Sequence, residues 1–553
     1  MLGSQVRNRD WGRFTARMRG RFVILCLLPL LSGCLPGLNW GGDDSADVAE
    51  PSTGESAPAL NRSYKTNFLS LQMPSFGASN LQGQLMPDSG PGLFSAFSTI
   101  EARRPSPPGI PASFLASPSG AAPAFEPALL PPEKTLANFY AALAALSSGR
   151  RPHPVTVVHF GDDRIADDRF AGALRDHLIG RFGGAGRGLM MPGLFPLRGM
   201  QADRGGQWTL FSAASTDAPG PFGITGARMT SASAEAWMRF TAAQSAADWI
   251  EVTFMTGPGS GTAILSVDGD ARLVPTRAPI TGETSIRVAA KAHEILIKPR
   301  GDGPVSVFSV AAGTNTPGVL YNNLGLPGAT AWTPGRWTAE FAANDLRKLN
   351  PDLILLEYGT REGFDDGLDV KQYEMRLRLV LDQLKEWAPQ ASILIIGPPD
   401  AARLPAFAGS AAAQVCRALN IQEASAYDRM MERADERLAR WHAPAKLDQV
   451  RLALRRVAAS SGAFFWDWAK YMGGPCAIHA WASFTPPLAA PDHVTLTEAG
   501  DNRSARAVFT ELMAGYDAYQ RALQAKAQAM VAAAAPKPAR PASKKRALQA
   551  QQH

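Results

Sequence analysis

Val155-Thr156-Val157-Val158-His159-Phe160-Gly161-Asp162-Asp163 decides the fold. A short, mostly apolar, β-branched run meets a glycine and two acids, and a helical apolar period follows over 170–182. A continuous apolar run suits a strand buried on both faces, and the helix after it is the crossover that a parallel sheet needs. The same grammar returns downstream. Leu353-Ile354-Leu355-Leu356 ends at Gly359-Thr360 ahead of a helical period over 370–387. Ile393-Leu394-Ile395-Ile396 ends at Gly397-Pro398-Pro399 ahead of one over 447–460, and Phe464-Phe465-Trp466 closes the set. Strands alternating with helices define an α/β domain with a doubly wound sheet between two helical layers. Such a sheet binds its ligand beyond the carboxyl ends of its strands. A further helix, over 134–147, precedes the first strand.

Between 206 and 312 the helical period disappears. Short alternating segments over 249–255, 262–267, 284–289, 294–299 and 305–310 are separated by Gly, Asp and Pro, and Asp268-Gly269 marks a two-residue hairpin turn. This predicts an all-β sandwich of about 100 residues inserted into the α/β domain. The expected organisation is therefore 131–205 and 313–518 as the two parts of the α/β domain, with 206–312 between them.

Working outward, six arginines between residues 7 and 21 precede a ten-residue apolar run, 22–31, which ends in Leu31-Ser32-Gly33-Cys34. The run is half the length a bilayer-spanning helix needs, so residues 1–33 read as an export signal. The tetrapeptide resembles a lipobox, which makes Cys34 the expected site of acylation and the membrane anchor. Leu35 in place of aspartate favours the outer membrane, facing the periplasm. Residues 34–130 are rich in Pro, Ser, Gly and Ala and read as a tether with a reach on the order of 50 Å. The last 35 residues, 519–553, are a basic Ala/Pro/Lys tail that follows a helix expected over 504–530. The net charge of +7 comes from the two ends. It is no evidence for nucleic-acid binding, and no nucleic-acid motif is present. No Cys/His spacing points to a metal and no glycine-rich phosphate loop to a cofactor. Cys416 and Cys476 remain after the two N-terminal cysteines; a disulfide and two buried thiols are both open readings.

The loops after the strands carry ordered motifs. Gly161-Asp162-Asp163, Leu324-Gly325-Leu326-Pro327-Gly328-Ala329, Gly359-Thr360-Arg361-Glu362 and Asp492-His493-Val494-Thr495 follow one another. Together they resemble the four blocks of the SGNH (GDSL-type) hydrolase family, over 150–190 and 315–515. The resemblance implies an SGNH-type three-layer domain and an ester hydrolase ancestry. It gives Asp163 the position of the nucleophilic serine, Arg361 that of the oxyanion-hole asparagine and Thr495 that of the general-base histidine. Gly328 and Asp492 keep the family's residues. The inserted β-module adds a likeness to peptidoglycan and polysaccharide O-acetylesterases, and Trp208, Trp237 and Trp249 are then candidates for stacking on sugar rings.

Acyl transfer needs an activated hydroxyl and a neighbouring base. Asp163 has no hydroxyl and Thr495 accepts no proton near neutral pH. His493 and His159 read as packed side chains rather than substitutes for that base. A carboxylate nucleophile at Asp163 would need a second acid among Asp162, Asp167, Asp168 and Glu362, a run better explained as helix capping. The expected protein is a catalytically silent envelope lipoprotein. It binds peptidoglycan or another cell-envelope polysaccharide, or partners an active SGNH hydrolase or a membrane O-acyltransferase. The alternative is an active esterase or O-acetyltransferase with a non-standard site. Asp163, Arg361 and Asp492 are expected to lie together, with the guanidinium paired to one or both carboxylates.

Overall fold

The computed structural model describes residues 129–193, 199–242 and 246–534. The signal, Cys34, nearly all of the tether and the tail beyond 534 lie outside the described residues. No helix among the described residues is long and apolar enough to cross a membrane.

Five strands form one parallel sheet in the order Val319–Gly325, Val155–Gly161, Leu353–Glu357, Ser392–Ile396 and Phe464–Trp466. Residue alternation along these strands feeds two separate cores. Val155, Val157, Leu353, Leu355, Leu394 and Ile396 pack with Phe139, Tyr140, Phe170, Leu174, Val508 and Leu512. Val158, Phe160, Ile354, Leu356 and Ile395 pack with Leu346, Tyr373, Leu377, Val450 and Leu454. Helices thus cover both faces, which is why these strands lack the polar alternation of a one-sided sheet. Helices Phe170–Phe182 and Val370–Trp387 fall where the apolar period predicts them. The second begins where the Asp369 carboxylate accepts from the amides of Lys371 and Gln372. Helix Ala445–Ser461 closes on Gly462 at φ 68°, a left-handed conformation that glycine adopts without strain.

Strand Val319–Gly325 departs from the sequence expectation, which treats the region only as a loop motif. Its run is broken by Asn322 and Asn323, both buried. Their polar groups are satisfied: the Asn322 amide donates to the Val157 carbonyl and its oxygen accepts from the Leu189 amide, while the Asn323 amide donates to the Ile165 carbonyl and to Asp168. Polar residues bonded this way sit in a core at little cost but hide the strand from a hydropathy reading.

Two antiparallel sheets account for the all-β region, and Met238, Phe240, Leu265 and Ile297 of one share a core with Val252, Phe254, Val307 and Val310 of the other. The Asp268-Gly269 turn lies where it is read, joining Thr262–Val267 to Asp270–Pro275 with both turn residues at positive φ. These sheets begin earlier than residue 206. Strands Gly188–Met190 and Met200–Gly205 already pair into them. The second of these buries only Met200 fully, so its sequence carries too little apolar alternation to be read as a strand. The β-region also contributes Ala213, Phe222, Ile224 and Ala227 to one core of the α/β body, and Phe222 and Thr338 exchange hydrogen bonds.

Between Ile396 and Ala445 the chain makes an excursion with a small core of Tyr427, Met430 and Leu438. A Cys416–Cys476 disulfide ties it to the body across 60 residues and resolves the open reading of these cysteines. Closing a loop of that length stabilises a fold by roughly 4 kcal/mol in the chain-entropy account. Reduction, or Cys416→Ser with Cys476→Ser, is expected to lower the urea midpoint by a corresponding amount. An unchanged midpoint would show that the excursion is held by its other contacts alone.

Candidate active site

The strand register builds the site. Gly325, Gly161, Glu357, Ile396 and Trp466 lie side by side at one edge of the sheet, so the loops after them leave from a single line. Two glycines on that line are sterically required. A Cβ on Gly325 would sit 2.2 Å from the Ala166 amide, and one on Gly161 would sit 2.2 Å from the Ile165 side chain. The turn Asp163–Ala166 can therefore fold directly over the strand ends.

Hydrogen bonds join the four motif blocks. The Gly328 amide donates to Asp163 Oδ2 at 3.1 Å, and Arg361 Nη2 donates to the same oxygen at 3.0 Å. Arg164 Nη2 donates to the Val494 carbonyl at 3.3 Å, which holds the last block against the first. Buried Glu362 accepts from the amides of Ala331 and Gly359, which links the third block to the second. Asp163 and Arg361 stay open to water, with side-chain exposures of 51% and 42%.

Of the two acids expected beside Arg361, Asp163 takes the guanidinium and Asp492 is satisfied within its own loop. Its carboxylate accepts from the amides of Val494 and Thr495 and from Thr495 Oγ1 at 2.7 Å. Arg361 pairs with Asp163, not with Asp492. A carboxylate three residues before a hydroxyl satisfies itself locally, and that short closure outcompetes a reach across the cleft.

The two histidines nearest the motifs are packed. His159 is fully buried, its Nδ1 lies 2.7 Å from the Tyr321 hydroxyl, and burial pushes its pKa down to about 3. His493 lies against the Trp441 ring, with centroids 3.8 Å apart. Its Nδ1 donates to the Pro491 carbonyl and its Nε2 meets His479 Nδ1 at 2.8 Å, while burial lowers its pKa.

The three tryptophans do not assemble into one platform. Trp208 and Trp237 are half-buried neighbours, the Trp208 indole donating to the Trp237 carbonyl. Trp249 lies on the other sheet, with the Arg287 guanidinium 3.9 Å from its ring centre and its far edge against Gly313.

Under the cleft lies a layer of buried acids that the sequence reading mostly passed over. Burial raises the carboxyls of Asp162, Glu362 and Asp501, the latter two to about 7. Glu357, fully buried at a strand end, is raised well above the usual range by burial and by Asp162. Neither of its oxygens accepts a hydrogen bond within the described protein. The available signal was its position: an acid that ends the apolar run Leu353–Leu356, on a line where the other strands end in glycine or apolar residues. Among the described residues no group of three or more His, Cys, Asp or Glu side chains is arranged to hold a metal ion.

The chain has an SGNH/GDSL hydrolase-like fold. Its structure is similar to that of a peptidoglycan O-acetylesterase, with a TM-score of 0.54 and 24% identity over 69% of this chain and 96% of that one. More distant likenesses include a GDSL-like lipase from Parabacteroides merdae, at TM-score 0.24 and 16% identity over 37% of this chain and 74% of that one. An acetyl xylan esterase stands at 0.23 and 12%, over 36% and 82%. No protein-family model matches the chain, and no curated protein does.

An exposed ion pair contributes little, so Arg361→Ala is expected to lower stability by under about 1 kcal/mol in urea unfolding. A loss of several kcal/mol would mean the pair is far drier than its exposure indicates. Glu362 gives a pH dependence with a definite sign. In the unfolded chain a glutamate loses its proton near about pH 4.3, whereas in the fold it keeps it to about 7. Between those values the folded state holds the extra proton, so this group's stabilisation is greatest at low pH and is lost as pH rises towards about 7. Glu362→Gln should make the slope of unfolding free energy against pH less negative by up to about 1.4 kcal/mol per unit across about pH 5 to 7. An unchanged slope would place the titration elsewhere.

Proposed function

We propose that this protein is a lipid-anchored component of the cell envelope, outer membrane more than inner, that keeps an SGNH scaffold but does not turn over esters. It binds an envelope glycan, peptidoglycan or a related acylated polysaccharide, and through it works beside an active SGNH hydrolase or a membrane O-acyltransferase. One observation carries the reading. Two donors, the Gly328 amide and the Arg361 guanidinium, converge on Asp163 Oδ2. Convergent donors of this kind would serve a developing oxyanion; here they are engaged by a carboxylate that belongs to the protein. The acid neutralises the charge that would attract the oxyanion and offers no hydroxyl for attack.

The remaining positions support the same reading. Thr495 donates to Asp492 and is no base, and the nearby histidines are spent on packing contacts. Loss of any one member of a nucleophile–base unit already removes most of the rate. What remains is a solvent-exposed ion pair and an exposed hydroxyl–carboxylate pair, polar groups suited to sugar hydroxyls. The likeness to a peptidoglycan O-acetylesterase supports peptidoglycan as the glycan class. The Trp208, Trp237 and Trp249 sites contribute as separate contacts or through packing, since they do not share a face.

With 4-nitrophenyl acetate the purified protein is expected to show the background rate, and Asp163→Ala to leave it unchanged. Turnover that disappears in Asp163→Ala would overturn the silent reading. Retention on purified peptidoglycan is the matching positive test, with weakened retention expected for Arg361→Ala. Absence of retention on peptidoglycan and on acylated envelope polysaccharide would remove the glycan half of the proposal.

A further inference from the structure

Helix Glu498–Ala534 outlasts the body on which it packs. Ala505, Val508, Leu512 and Tyr516, spaced three and four apart, are buried. The same spacing continues through Tyr519, Leu523, Ala527, Met530 and Ala534. Tyr519 still packs on the body, its ring centre 6.0 Å from that of Tyr140. Residues 521–534 are all exposed, with Leu523 at 42%, Met530 at 66% and Val531 at 72%. An apolar stripe thus continues for about 21 Å with nothing covering it among the described residues.

Charge selects what would cover it. From residue 518 to 553 the chain holds Arg521, Lys526, Lys537, Arg540, Lys544, Lys545 and Arg546, and no Asp or Glu. A second copy of the helix would bring Arg521 and Lys526 against their own kind with no acid to answer them. An anionic bilayer answers both features: the stripe enters the boundary between headgroups and acyl chains, and the cations meet the negative surface. We infer that the free end of this helix, with the basic segment after it, is a docking element for an anionic phospholipid surface. The inference does not rest on the glycan-binding reading and involves none of the cleft residues.

Vesicle flotation of the full chain carrying Cys34→Ala, which removes any acyl anchor, tests it. Recovery with phosphatidylglycerol–phosphatidylcholine vesicles is expected to exceed recovery with phosphatidylcholine alone by about tenfold or more, and to fall at high salt. Leu523→Asp with Met530→Asp should remove most of that difference. So should alanine at Lys537, Arg540, Lys544, Lys545 and Arg546, while Leu379→Asp, at an exposed position on another helix, should not. Equal recovery on both vesicle types overturns the inference. Salt-sensitive recovery that ignores Leu523→Asp with Met530→Asp also overturns it, in favour of a purely polyanionic partner. A dimer in sedimentation velocity that this pair dissolves, without lipid binding, overturns it in favour of a second copy.

Discussion

A buried carboxylate, Asp168, holds the cleft's first loop in place. It sits at φ 58° between that loop and helix Phe170–Phe182, with 1% of its surface exposed. It accepts from Arg175 at 2.9 and 3.1 Å, from Arg187 at 3.3 Å and from the Asn323 amide at 2.7 Å. Burial pushes its carboxyl up, but Arg187 and Arg175, with the hydrogen bonds, hold it below the usual range. Removing one partner from such a group leaves an uncompensated buried charge, which costs several kcal/mol. Asn323 extends the constraint, since its amide also reaches the Ile165 carbonyl and its oxygen accepts from the Gly325 amide. The loop that carries Asp163 is thereby fixed to the strand that leads into Gly328. The contact between those two residues follows from the frame beneath them.

On that frame Asp163 and Arg361 compensate one another in charge. The Gly328 amide alone offers the Asp163 carboxylate a neutral donor; the arginine at 361 supplies the opposite charge at hydrogen-bonding distance. The pair is wet, so its energetic weight is small. The fold owes little to it and rests instead on the strands, glycines and buried acids below. The acid layer fits this division. With burial pushing Glu362 and Asp501 up to about 7 and raising Glu357 well above the usual carboxylate range, the layer carries little charge in mildly acidic surroundings and tolerates burial without a cation for each member.

Much of this was legible in the residues because the physics is local. The buried parallel strands and their helices show themselves as apolar runs and 3.6-residue periods, and the Asp268-Gly269 turn needs only two residues of positive φ. The converging motif blocks follow from strand polarity once the sheet is parallel. What stayed hidden depends on long-range pairing. Asn322 and Asn323 look like loop residues until their partners 165 and 158 positions away are known. Met200–Gly205 is a strand only because Trp237–Ala242 lies beside it. The Asp492–Thr495 closure was a local alternative that a charge-based expectation overlooked. The Cys416–Cys476 bond needs the Cα–Cα separation of 5.8 Å, which no spacing in sequence supplies.

The direction of the last helix connects the cleft to the far end of the molecule. It begins three residues after Thr495, at the edge where the motif blocks meet, and runs alongside Phe170–Phe182. Contacts of Arg169 with Asp501, His177 with Phe509 and Arg181 with Asp517 advance together, so the two helices are parallel. A helix that follows a parallel strand runs back from its carboxyl end toward its amino end. The last helix therefore leaves the cleft edge and emerges at the opposite edge of the sheet, its 37 residues spanning about 55 Å. The cleft and the exposed stripe at residues 521–534 are thus placed at opposite ends by one rigid element. Whatever engages the helix end holds the cleft away from itself, so a partner at one end leaves the other free to reach a different layer of its surroundings.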